Sequence, residues 1–127
     1  MTKISNFTPH ELNFYGTNDV SFDPKIRKYC LRVEASPIRS IQSSGMLSAK
    51  ISSMPEKEIN QIPVIVKKVT GCDPMPDGEG IIIVSALYAM AAQKMGFDMA
   101  RIYTIADPVF TPDGKTVLGC LGICPAI

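Results

Sequence analysis

The sequence predicts an α+β fold: a mostly antiparallel, curved sheet packed by one main helix at about residues 85-95. Three observations predict it. Only the stretch "SALYAMAAQKMG" combines strong helix formers with apolar residues at helical spacing. The other apolar segments are short, alternating or rich in β-branched side chains. Between them, Pro, Gly, Asp and Ser cluster as turn signals.

The elements follow in order. "KISNFT" and "ELNFYG" read as two short strands, with a turn-rich break from Gly16 to Pro24. "IRKYCLRVEA" predicts a half-buried strand from Ile26 to Ala35, with Ile26, Tyr29, Leu31 and Val33 as its apolar members. "SPIRSIQSSG", Ser36 to Gly45, reads as a polar loop, and "MLSAKISSM" as a strand alternating Leu47, Ala49 and Ile51. "PEKEINQ" is a charged connector. "IPVIVKKVTG" predicts a buried strand, and "CDPMPDGEG" a loop.

Ile81 to Val84 form a continuous apolar run, as in a central strand buried on both faces. At Ser85 the composition switches to Ala, Leu and Met. Leu87, Met90, Ala91 and Met95 recur at helical spacing, and Gly96 marks the stop. "RIYTIA" and "KTVLGCLGIC" predict two closing strands. The "TPDGK" turn between them needs a positive φ at Gly114.

At 127 residues the chain suits one domain, spanning 1-127. Thirteen basic residues against 12 acidic ones give a net charge of +1, which excludes a strong non-specific binder of nucleic-acid polymers. No apolar run is long enough to span a membrane, and the N-terminus has no apolar signal-peptide core. The reading is a cytoplasmic protein with Cys30, Cys72, Cys120 and Cys124 as free thiols.

Several residues could carry chemistry. Ser85 is placed to cap the helix, and a helix start also favours anions. The plain alternative is a cap and nothing more. Arg39, Ser40, Gln42, Ser43, Ser44, Gly45 and Lys50 supply a guanidinium, hydroxyls and a glycine, the parts of an anion cradle. The alternative is a solvated loop. His10 is the lone histidine. It could act as a base, donate to a ligand, or cap a turn. Asp107 could accept from a ligand hydroxyl or amine, or form an Asp-Pro turn. Cys120 and Cys124 read as buried thiols rather than metal ligands. No paired-carboxylate, HExxH or GxSxG signature is present, and no cofactor is implied.

Several landmarks occur together in sequence order. "NFTPHEL", "IQSSGMLSAK", "IPVIVKKVTG", "GIIIVSALYAMAA" and "ADPVFTPDGKTVLGC" resemble successive motifs of small proteins encoded by many phages and prophages. The resemblance covers most of the chain. It marks the positions of His10, Ser43, Ser44, Gly45, Ser85 and Asp107. Two arginines of that pattern are replaced here by Lys50 and Phe110, and the "CDPMPDGEG" loop is longer. By analogy with phage proteins that sequester nucleotide-derived immune signals, the resemblance implies a binding protein for a cyclic nucleotide or cyclic ADP-ribose-type signal. The expected partner is a small anionic nucleotide-like ligand, held by a homo-oligomer in a pocket where Arg39, Ser43, Ser44 and the Ser85 helix end converge. Two alternatives stay open: an enzyme that degrades such a signal with His10, and a structural or protein-interaction phage factor.

Overall fold

The structure is a computed structural model and describes residues 2–32 and 35–127. Its strands are β1 (Ile4–Asn6), β2 (Leu12–Phe14), β3 (Val20–Asp23), β4 (Lys28–Leu31), β5 (Arg39–Ile41), β6 (Ala49–Ile59), β7 (Ile62–Cys72), β8 (Ile81–Ile83), β9 (Ile102–Phe110) and β10 (Val117–Pro125). The helix is α1 (Ala86–Lys94). Single 3-10 turns precede β3 and β9.

Eight strands form one curved, nearly closed sheet in the order β1-β8-β9-β10-β2-β5, with β4 joined to β9 and β3 to β4. Beyond β5, a bridge pairs Ser43 with Asn6 of β1 and brings the two ends of that path together. The expected α+β architecture with a curved sheet is therefore present. The expected antiparallel pairing is only part of it. β8 runs parallel to both β1 and β9, β2 parallel to β10, and β4 parallel to β9. Antiparallel ladders join β9 to β10, β2 to β5 and β3 to β4. The sheet is mixed because strands from the start of the chain slot beside strands from its end. No hairpin links such pairs.

Ile82, Ile83 and Val84 are buried, as expected for a central strand. Ile82 and Val84 enter a core with Tyr88, Ala89, Ala92, Met99 and Ile102. A second cluster of Tyr15, Val20, Leu31 and Val109 fills the sheet beneath β3 and β4. Ser85 caps α1: its hydroxyl accepts from the Tyr88 N–H at 3.1 Å. Gly96 follows the helix with φ 80°, and Gly114 takes φ 74° in the closing turn.

The face of α1 differs from its periodicity. Of the spaced set, only Ala91 is buried; Leu87, Met90 and Met95 are exposed, and the core takes Tyr88, Ala89 and Ala92. The helix is apolar nearly all round, so spacing alone does not select a face. Tyr88 wins because its ring fills the core while its hydroxyl reaches a backbone carbonyl.

Two further expectations change. β3 lies inside the expected Gly16–Pro24 break, and β5 inside the expected polar loop. β4 is shorter than the Ile26–Ala35 strand, and its expected member Val33 lies outside the described residues. The "PEKEINQ" connector is mostly strand. β6 runs on through Ile59 and pairs with β7 as a separate two-stranded arm, turning at Asn60 and Gln61. β7 is largely exposed, not buried. Its Val/Ile run suggested a core strand, yet beyond its partner β6 it meets the body chiefly at α1.

Candidate functional site

A cleft of about 520 Å³ opens where the turn after β1, the start of β2 and the junction of β8 with α1 meet the β9–β10 ladder. Leu12, Val84, Ala86, Ile105, Val117, Leu118, Gly119 and Cys120 supply its apolar and small-residue walls. Thr8, His10, Glu11, Ser85 and Thr104 supply the polar groups. None of these lining residues is Lys or Arg. Backbone packing shapes the floor. Gly119 lies so close to β2 that a Cβ there would collide with the carbonyl oxygen of Asn13. This close approach brings β2 and β10 together at the cleft.

Asn6 organises the polar side. It is fully buried. Its Nδ2 donates to the carbonyls of His10 at 2.8 Å and Ile41 at 3.1 Å. Its Oδ1 accepts from the Thr8 N–H at 2.9 Å and the Thr8 hydroxyl at 2.6 Å. One amide thus fixes the 6–10 turn, which carries Thr8 and His10 to the cleft, and also joins β1 to β5. Sequence reading passed over Asn6. Its signal was an Asn followed two residues later by Thr, a pattern suited to a local side-chain turn.

Ser85 reaches the cleft at the head of α1. The first N–H groups of a helix have no intrahelical acceptor. The Ser85 hydroxyl takes up that of Tyr88. Ala86, one residue on, also lines the cleft, so the positive end of the helix dipole faces it.

The structure brings together His10 and Ser85, and not the full expected set. Arg39 lines a separate cavity of about 270 Å³ with Ile4, Phe14, Ile38, Ile41 and Ile83. Ser43 lies beside β1; its hydroxyl donates to the Thr8 carbonyl at 2.6 Å. The Ser44 N–H donates to the Asn6 carbonyl at 2.7 Å. Gly45 follows with φ 128°. Ser43 and Ser44 buttress the 6–10 turn, and none of the three lines the cleft. β1 lies between Ser43 and β8, which leads into Ser85. Lys50 is the second residue of the arm strand β6. Asp107 sits exposed in β9 with φ 55°, just before Pro108. Gln42 of the polar loop also reaches a lining residue: it hydrogen-bonds the Glu11 carboxylate.

All four cysteines are free. Cys120 is buried at the cleft wall, and burial pushes its thiol pKa up. It is a neutral, weakly polar surface there. Among the described residues no cluster of His, Cys, Asp and Glu could hold a metal ion, and no helix is long and apolar enough to cross a membrane.

No protein-family model matches the chain, and neither does any curated protein or solved structure.

Proposed function

We propose that the chain is a small phage-encoded binding protein that takes a nucleotide-derived signal into the β9–β10 cleft and sequesters it without turnover. One observation carries this reading: an apolar cleft of about 520 Å³ ends at a capped helix start with a histidine beside it. Pockets for small ligands have this size and this mixture of apolar wall and few polar groups. A nucleobase would lie against Leu12, Ile105, Val117 and Leu118. An anionic group would meet His10 and the head of α1. Glu11 would accept from a hydroxyl or exocyclic amine, and Gln42 holds it in place.

The charge of the lining narrows the ligand. With no Lys or Arg and one carboxylate, the cleft suits a single phosphodiester better than a polyphosphate. A cyclic nucleotide fits that description, with a cyclic ADP-ribose-type signal the more highly charged relative. His10 is assigned to binding because no side chain orients its imidazole among the described residues. General acid–base and triad chemistry need that second partner. The resemblance to phage proteins supports sequestration as the purpose.

Incubation with a panel of cyclic nucleotides and cyclic ADP-ribose-type signals, then heat release and mass spectrometry, tests the reading. One panel member should be recovered intact, and His10→Ala should weaken its binding about tenfold. Recovery of none from folded protein, or recovery of a cleaved product, overturns it.

A further inference from the structure

Arg39 lies away from the cleft, on the second cavity of about 270 Å³. The curl of the sheet makes this hollow. Ile4 of β1 and Ile83 of β8 reach it from one side of β9, and Phe14 of β2 with Ile123 of β10 from the other. Strands far apart along the sheet thus share one cavity. Such hollows, like the mouths of small β-barrels, are recurrent places for a ligand.

Its chemistry is simple. Arg39 is the one charged or polar side chain of the lining; the rest is isoleucine, leucine, phenylalanine and a glycine. No carboxylate lines the cavity to balance the guanidinium. Backbone pairing holds Arg39 at the rim. It stands opposite Phe14 in the β2–β5 ladder, and the neighbouring Ile38 N–H donates to the Phe14 carbonyl at 2.8 Å. Arg39 is exposed, and Ile38 is 72% exposed. A cation and an apolar side chain therefore stand together where the cavity meets solvent.

We propose that this cavity is a second binding site, for a monocarboxylate with a short apolar tail. Each part of the site narrows the class. A planar guanidinium can donate two parallel N–H bonds to one carboxylate. One positive charge then balances one negative charge. A phosphate monoester carries up to two, and the apolar wall would leave the second unpaired. The wall side chains offer no hydrogen bond, so the buried part of the ligand is hydrocarbon. Volume sets its length: at about 30 Å³ for each water-sized group the cavity takes roughly nine, about the size of octanoate. The cavity shares no lining residue with the cleft, so the proposal stands apart from what the cleft holds.

Titration of the full chain with octanoate, followed by NMR of isoleucine methyl groups, tests the proposal. Saturable shifts are expected at Ile4, Ile41 and Ile123, with Ile105 of the cleft as the reference that stays still. Acetate lacks the tail and octanol lacks the charge; each should bind at least about tenfold more weakly. Arg39→Gln should weaken octanoate by about tenfold or more, as loss of a charge-assisted hydrogen bond does. Arg39→Lys should restore part of the affinity, because it keeps the charge and loses the fork. Arg39 is exposed, so both variants should keep the parent's circular dichroism and melting profile. No saturable binding of octanoate overturns the proposal. Shifts centred on Ile105, or binding that Arg39→Gln leaves unchanged, also overturn it. Tighter binding of octyl phosphate than of octanoate overturns the choice of a carboxylate.

Discussion

The Tyr88 hydroxyl donates a 2.9 Å hydrogen bond to the carbonyl of Asp73. Asp73 is also the clamp at the base of the arm. Its N–H donates to the Ser48 carbonyl at 3.0 Å, and its carboxylate accepts from the Ser48 N–H at 2.8 Å. Core, helix and both ends of the arm therefore meet at one residue.

Tyr88→Phe should cost about 1 kcal/mol, the usual net worth of one hydrogen bond. Urea unfolding checks it, with the loss appearing as a lower midpoint and an unchanged slope.

The same tyrosine sets an alkaline limit. Burial first, then the nearby Cys72 and Asp73, raises its pKa above the ordinary value of 10.0. The folded state thus holds the proton longer than the unfolded chain. Its contribution is full below about pH 10 and is lost as pH rises through the folded pKa. Melting temperature should fall above about pH 10 in the parent. The part of that fall due to Tyr88 should vanish in Tyr88→Phe.

Asn6→Ala removes four hydrogen bonds from a fully buried position. It leaves the His10 and Ile41 carbonyls without that donor. A loss of about 2–4 kcal/mol is expected, within the range for breaking a buried polar network. Chemical denaturation gives the cost. Amide hydrogen exchange should show faster exchange at Thr8 and Ser44, which depend on this turn.

These outcomes bear on what the sequence made legible. Ile81–Val84 and the Ser85 cap were readable because each rests on local chemistry: a β-branched run buried on both faces, and a hydroxyl three residues before the N–H it accepts from. The β6–β7 arm was not readable. Its Val and Ile residues have the composition of a core strand, and exposure depends on where the body ends. The cleft was half readable. His10 and Ser85 were named from local motifs, whereas Thr104, Val117 and Cys120 arrive through the β9–β10 register, a long-range property. Arg39 failed to join them because β5 directs it to another cavity.

Ser85 separates its two roles by substitution. Ser85→Ala should cost about 1 kcal/mol through the lost cap. Ser85→Asp keeps a good cap and should leave thermal stability near the parent's. Its carboxylate would face the cleft and repel an anionic ligand. Calorimetric titration should therefore show weaker binding by Ser85→Asp without a matching fall in melting temperature.

Cysteine reactivity should divide along burial. Cys124 is exposed, and Cys120 and Cys30 are buried. Desolvation raises the Cys120 pKa, which lowers its thiolate fraction at neutral pH. Alkylation of the native protein at pH 7.5, followed by peptide mass spectrometry, should label Cys124 first and Cys120 only after denaturant is added.

The parallel pairing of β1 with β8 and of β2 with β10 also dictates when this chain can fold. β1 has no ladder partner until β8 has been made, and β2, paired early only with β5, waits for β10. The β6–β7 arm, closed by a turn at Asn60 and Gln61, needs only its own neighbours. During synthesis the arm can form early and alone. The cleft assembles last, when β10 leaves the ribosome and captures β2, so a high contact order makes this a slow-folding small domain.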